Sequence, residues 1–303
     1  MRDPHDPWLK GFPWRRFPEF IAPDADRFAV LKSIIEKAAL QYRVLDAAGS
    51  RHFIVTPPPP SARLSKLLEG RPPTMLVAHY DRAEGSPGAN DNSAGVFLLI
   101  ETARKLVKNN VNNWSVVFTD KEELKTGEGL REQGSYALAM DLKNSRLETS
   151  RIFCFDTCGS GDTLIVSATL ESLISREGGG EKLRGSMMEL RKLALETAHN
   201  IRLTKTLLAP TPFSDDAGFF RAGLAAQTIT MLPSGECIGL LAELKKNREY
   251  AETLINAGFR QNTAPHLIPE TWRNLNSPND THQKLTPENF RIVVSFAEAL
   301  CRR

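Results

Sequence analysis

The sequence predicts an α/β fold, a three-layer αβα sandwich around a mixed, mainly parallel sheet. Three observations lead there. Short apolar runs of strand length alternate with longer segments whose apolar residues recur at the 3.6-residue helical period. The 303 residues are 41% apolar and 25% charged, an ordinary globular composition on a chain long enough for a large core. Several of the strand-like runs end in a histidine or a carboxylate. In open α/β sheets, ligands bind outside those carboxyl ends.

Residues 1–23 form an N-terminal arm rich in proline and aromatics, among them Trp8, Phe12, Trp14, Phe17 and Phe20. Because proline breaks a regular helix, the arm reads as an extended strap over the surface. Residues 24–303 read as one domain. It opens with a helix capped by Asp24 and carrying Phe28, Leu31 and Ile35 on one face. Tyr42–Leu45 and His52–Thr56, separated by Ala47-Ala48-Gly49-Ser50, give a hairpin signal. Ser61–Gly70 is open to either a short helix or a loop.

Thr74–Ala78 is a short buried strand, and Val96, Leu99, Ile100, Ala103 and Leu106 mark a helix over 94–107. Trp114–Thr119 is the next strand, followed by a loop and a helix from Gly134 to Leu142. Arg151–Phe155 and Thr163–Ser167 are further strands. A loop around Gly178-Gly179-Gly180 precedes a helix from about Ser186 to Asn200. Ala226–Met231 is the last strand, and residues 233–275 read as a mostly helical insertion. Thr286 with Pro287 at the first helical position starts a final helix burying Phe290, Val293, Val294, Ala297, Leu300 and Cys301.

Composition narrows the function classes. The net charge is +3 and no basic patch stands out, so a nucleic-acid partner is not expected. Lys245-Lys246-Asn247-Arg248 reads as a solvated helix face. The four cysteines, Cys154, Cys158, Cys237 and Cys301, lack the density of a disulfide scaffold and read as small core residues. No apolar run reaches bilayer length and the N-terminus has no signal-peptide hydrophobic region, so a cytoplasmic protein without membrane contact is expected.

Metal-binding side chains sit at three strand exits: His79, Glu122-Glu123 and Asp156. Asp91 adds a fourth, just before a helix. One histidine and three carboxylates can hold a carboxylate-bridged zinc pair, and of two adjacent glutamates one can ligate while the other moves a proton. The alternative reading is a set of scattered, solvated surface acids.

The same residues carry a resemblance. His79-Tyr80-Asp81 followed by Pro87-Gly88-Ala89-Asn90-Asp91-Asn92-Ser93-Ala94-Gly95-Val96 resembles the signature of the co-catalytic zinc aminopeptidases, a family that includes glutamate carboxypeptidases and glutaminyl cyclases. Glu122-Glu123 with Gly134-Ser135, then Asp156, Ser214-Asp215-Asp216-Ala217-Gly218-Phe219 and Pro278-Asn279-Asp280-Thr281 follow the family's later blocks in order. The resemblance implies a zinc-exopeptidase-like fold and metal ligands His79, Asp91, Glu123 and Asp156. Asp91 would bridge two ions, His79 and Glu123 completing one site and Asp156 belonging to the other. It also implies two catalytic residues: Glu122 as general base toward a metal-activated water, and Asp81, hydrogen-bonded to His79.

The sequence departs from the family pattern at two positions. Asp216 stands in place of a histidine. Asn276 stands where the family has its last histidine ligand, so one tight zinc is expected and the second site, shared with Asp156, is weakened. His266 and His282 are the nearby candidates to substitute.

The function so implied is a metal-dependent exopeptidase, foremost an aminopeptidase acting on a peptide or small amide. Two alternatives stand beside it. One is a catalytically degenerate member serving as a binding or assembly module. The other is glutaminyl-cyclase-type acyl transfer, against which Asn276 argues because that reaction uses the missing histidine.

Overall fold

The computed structural model describes residues 7–144, 150–170, 180–247, 249–254 and 263–303. Eight strands form one sheet: Gln41–Ala47 (β1), Ser50–Thr56 (β2), Thr74–His79 (β3), Trp114–Thr119 (β4), Arg151–Phe155 (β5), Thr163–Ser167 (β6), Thr206–Ala209 (β7) and Ala226–Leu232 (β8). Their order is β1-β2-β4-β3-β5-β8-β6-β7. The centre, β4-β3-β5-β8, is parallel throughout, whereas β1-β2, β2-β4 and β8-β6 pair antiparallel. The sheet is therefore mixed and mainly parallel, as expected.

β3, β4, β6 and β8 are buried along their whole length. Helices cover both faces, which explains why these strands read as unbroken apolar runs rather than as alternating ones. One face carries the helices Gly95–Lys108, Glu181–Asn200 and Phe290–Cys301, joined in one core by Leu31, Phe97, Leu99, Phe118, Phe153 and Phe296. The other carries Gly134–Asn144 and Asp215–Arg221, packed through Leu138, Leu142 and Phe219 on Val77, Val117 and Cys154. The hairpin closes through Ala48 and Gly49, both at positive φ (+47° and +79°).

Four details differ from the sequence reading. The arm is not an extended strap. Pro7–Leu9, Trp14–Arg16 and Phe17–Phe20 are short helical turns, with Pro18 in the first turn of the last, where no backbone donor is needed. Phe17 and Phe20 are fully buried, and Trp14 stacks on Phe290 at 4.5 Å. The following helix spans Arg27–Lys37 and is capped by Asp26 rather than Asp24: the Ala29 N–H donates to Asp26 Oδ1 at 3.0 Å.

The third difference is β7, which the sequence reading did not contain. It is a four-residue edge strand of mostly half-exposed residues, too short to show a period. The fourth is Thr286. It precedes the turn Pro287–Asn289 as expected, but its hydroxyl serves Gly161 instead of capping: it accepts from Gly161 N at 2.7 Å and donates to Gly161 O at 3.0 Å.

Within 233–275 the described residues are mostly helical, over Ser234–Lys246, Tyr250–Leu254 and Glu270–Asn274. They pack on the β6–β8 end through Leu240, Leu254 and Trp272. Gly178, Gly179, Arg248 and residues 255–262 lie outside the described residues, as do residues 1–6 of the arm. Ala62–Leu68 is a helix, all four cysteines are buried and unbridged, and no helix among the described residues is long and apolar enough to cross a membrane.

The cap assignment is testable. Asp26→Ala should lower the unfolding free energy in urea by about 1 kcal/mol. Asp24→Ala should leave it within about 0.5 kcal/mol, since exposed positions away from such features change little.

Candidate metal centre

Strand order brings the predicted residues together. β3 lies between β4 and β5, so the connection from β3 to β4 steps one way along the sheet and that from β4 to β5 steps back past β3, and the three exits are neighbours. His79 ends β3, opposite Thr119 in β4, and Asp156 directly follows β5. Asp91 reaches the same place from the turn Ala89–Ala94, which feeds the Gly95–Lys108 helix.

That turn is held from three sides. The Asp280 carboxylate accepts from Asn90 N at 2.8 Å and from Asp91 N at 3.0 Å. Asn92 Nδ2 donates to Phe155 O at 2.8 Å, and Gly159 N donates to Asn90 Oδ1 at 2.7 Å. Gly88 enters the turn at φ +61°, and a Cβ there would stand 2.8 Å from Asp91 O and 2.9 Å from Arg82 Cβ. The glycine is needed for both its dihedral and its space.

Around His79 the acids are close. Nε2 lies 3.1 Å from Asp91 Oδ1, 3.6 Å from Asp156 Oδ1 and 4.0 Å from Glu122 Oε2. Nδ1 lies 3.3 Å from Asp81 Oδ1. Asp81 also accepts the backbone N–H groups of Glu122 (3.2 Å) and Glu123 (3.0 Å), so one carboxylate aligns both the imidazole and the glutamate pair. Burial alone would lower the His79 pKa, but the close carboxylates of Asp156, Asp81 and Asp91 raise it well above the usual value. Burial pushes Glu122 and Glu123 well up, and the neighbouring carboxylates add to it.

The sequence reading missed Gln133 and Arg27, and it named Asp215 and Asp216 without assigning them a contact. Gln133 Nε2 donates to Glu122 Oε1 at 3.0 Å, leaving Oε2 as the oxygen turned to His79. Asp215 accepts from Thr119 Oγ1 at 2.7 Å, and burial raises it to about 6. Asp216, the departure from the family's histidine, accepts from Ser214 N at 3.2 Å and is raised by burial to about 7. Arg27 is a buried cation behind the turn. Its Nη2 donates to Ser93 Oγ at 2.6 Å, and its charge acts on Asp81, Asp91 and Asp280. An Arg at the first position of a helix carries no sequence signal for that placement.

One expectation is corrected. The ligand atoms within 4.8 Å of one another belong to His79, Asp91 and Asp156, the single such group among the described residues. Asn276 faces Glu123, its Nδ2 donating to Glu123 Oε2 at 2.8 Å. The pairing is thus His79 with Asp156 and position 276 with Glu123, the reverse of the sequence reading. It follows from β3 and β5 being adjacent while Asn276 approaches from the C-terminal segment. Neither His266 nor His282 joins the group; His282 lines a separate cavity with Pro18 and Arg82.

The group fits a divalent cation such as zinc. Donors about 2.0–2.1 Å from zinc at tetrahedral angles stand about 3.3 Å apart. The 3.1 and 3.6 Å separations from His79 Nε2 bracket that value. His79 Nε2 and Asp156 Oδ1 are buried without a well-aligned hydrogen bond, as lone pairs meant for a cation are, while Nδ1 faces Asp81 on the other side of the ring. A cleft of about 450 Å³ opens onto Asp91, Glu122, Glu123, Asp156 and Asn276.

The fold is shared with solved structures. A zinc aminopeptidase from Bacillus subtilis superposes with a TM-score of 0.51 at 20% identity, covering 82% of this chain and 49% of the other. The chain thus spans about half the length of that relative. The LapA aminopeptidase of Legionella pneumophila gives 0.57 at 14% identity, over 95% and 69% of the two chains. A glutaminyl cyclase from Porphyromonas gingivalis gives 0.58 at 16% identity, over 95% and 93%. No curated protein sequence matches the chain. The sequence pattern of peptidase family M28 matches residues 65–297, which contain every residue of the cluster and of its backbone clamps except Arg27. The chain belongs to peptidase family M28.

Proposed function

We propose that the chain is a zinc-dependent aminopeptidase that removes the N-terminal residue of a peptide or small amide. The observation that carries this reading is the grouping of His79, Asp91 and Asp156 with Glu122 Oε2 beside them at the cleft. His79, Asp91 and Asp156 would hold the tightly bound ion. When bound, zinc supplies a Lewis acid that polarises the scissile carbonyl and makes water more acidic.

The protein's own groups do the rest. Glu122 Oε2 takes the proton of the attacking water and returns it to the leaving amine. Gln133 holds the other oxygen, so the carboxylate keeps one orientation through both transfers. Asp81 fixes His79 from the far side of the ring and anchors the Glu122 backbone. Glu123 and Asp91 are what remains for a second, weaker ion. The amide of Asn276 offers less to such an ion than imidazole, and its donor nitrogen already faces Glu123.

The same contact disfavours the glutaminyl-cyclase reading, because the Glu123 side of the site lacks an imidazole. The degenerate-module reading is disfavoured by the retained Glu122 with its aligned Gln133. Glu122→Gln should keep its metal and lose turnover on an amino-acid amide by roughly 10²–10⁴-fold, read by elemental analysis and steady-state kinetics. Loss of metal from that variant would refute the role.

Zinc titration by calorimetry should find about one tight ion per chain. Asp156→Asn should abolish it, and Asn276→His should raise the stoichiometry toward two. Two tight ions in the unmodified protein would overturn this assignment.

A further inference from the structure

We propose that Glu123 and Asn276 form a subsite for a primary ammonium group, the free N-terminal amine of the substrate. The proposal rests on the aminopeptidase reading above and adds what the site recognises.

Asn276 adopts a left-handed backbone (φ +52°), which asparagine tolerates, and this turns its side chain onto Glu123. Facing an ionised carboxylate, the amide presents its nitrogen, since its oxygen would be repelled there. The 2.8 Å contact from Nδ2 to Glu123 Oε2 therefore fixes where the amide oxygen goes. Asn276 Oδ1 and Glu123 Oε1 are both shielded from solvent and have no hydrogen-bond partner. Both residues line the cleft, as does Asp91.

The spot thus offers two free acceptors, Asn276 Oδ1 and Glu123 Oε1, with the charge of Asp91 acting on Glu123, and its one donor is already spent. An acceptor left buried and unsatisfied destabilises the empty site. The ligand that relieves this is cationic and brings several N–H donors. A primary ammonium has three, where a hydroxyl has one and an acylated amine one without charge. A second zinc ion suits the spot less well, for the donor nitrogen of Asn276 occupies the carboxylate it would need.

Position agrees with this. Asp91, whose charge acts on Glu123, also belongs to the metal group, its Oδ1 lying 3.1 Å from His79 Nε2. An amine held at Glu123 and Asn276 therefore leaves the first carbonyl of the peptide, two bonds away, beside His79, Asp91 and Asp156. Cleavage after one residue is the register this placement requires, and N-blocked peptides lose the anchoring charge.

The test is calorimetric binding of L-leucinol and of N-acetyl-L-leucinol to the protein loaded with one equivalent of zinc. The free amine should bind at least about tenfold more tightly than its acetylated form. Glu123→Gln should erase that preference while still binding one zinc ion per chain. Asn276→Leu provides a second variant with the same expected loss, in case the first fails to fold. Equal affinity for the two probes, or an unchanged preference in a folded variant, would overturn the subsite. The functional reading fails separately: discrimination between the probes with no cleavage of any peptide would leave the amine site standing and remove the aminopeptidase.

Discussion

The arrangement depends on burying carboxylates around one imidazole. Asp81, Asp91, Glu122, Glu123 and Asp156 crowd His79, whose ring is fully buried. Burial first, and then repulsion between like charges where water is scarce, raises the carboxyl pKa values of Glu122, Glu123 and Asp156. A bound divalent cation reverses the sign of the problem, because the same oxygens then neutralise a charge of opposite sign. The cluster is a site only if something cationic enters it.

The fold contributes one cation of its own. Arg27 is buried, stacks on Phe20 at 4.3 Å and has two guanidinium nitrogens, Nε and Nη1, without a hydrogen-bond partner. Burial lowers its pKa to about 9, so it stays charged at neutral pH. It faces the back of the Gly88–Ser93 turn, where it offsets the acids without entering the cleft. Asp280 works in the opposite sense. It places a carboxylate against two backbone N–H groups and thereby fixes the turn that carries Asp91. The arm, the turn and the C-terminal segment are tied together there, since Arg82 also donates to Ala22 O and Pro23 O at 3.0 and 2.7 Å.

Sequence reasoning succeeded where one local property decides structure. β4, β5 and β6 carried their boundaries in the chain because strands covered on both faces are apolar throughout. β7 is a half-exposed edge strand without that mark. The prolines of the arm misled for a related reason. Their effect depends on the position within a turn, and Pro18 occupies the one turn where proline fits.

The sequence by itself determined where the candidate residues stand: His79, Asp91, Glu122, Glu123 and Asp156 follow strand ends or precede a helix whatever the strand order. It also determined that position 276 is an amide. Only the tertiary structure decided the partnerships. That His79 joins Asp156 follows from β3 lying next to β5, and that Asn276 meets Glu123 is a contact between residues 153 apart in the chain. Strand order and long-range side-chain direction are set by packing of the whole sheet, and no local pattern of residues encodes them.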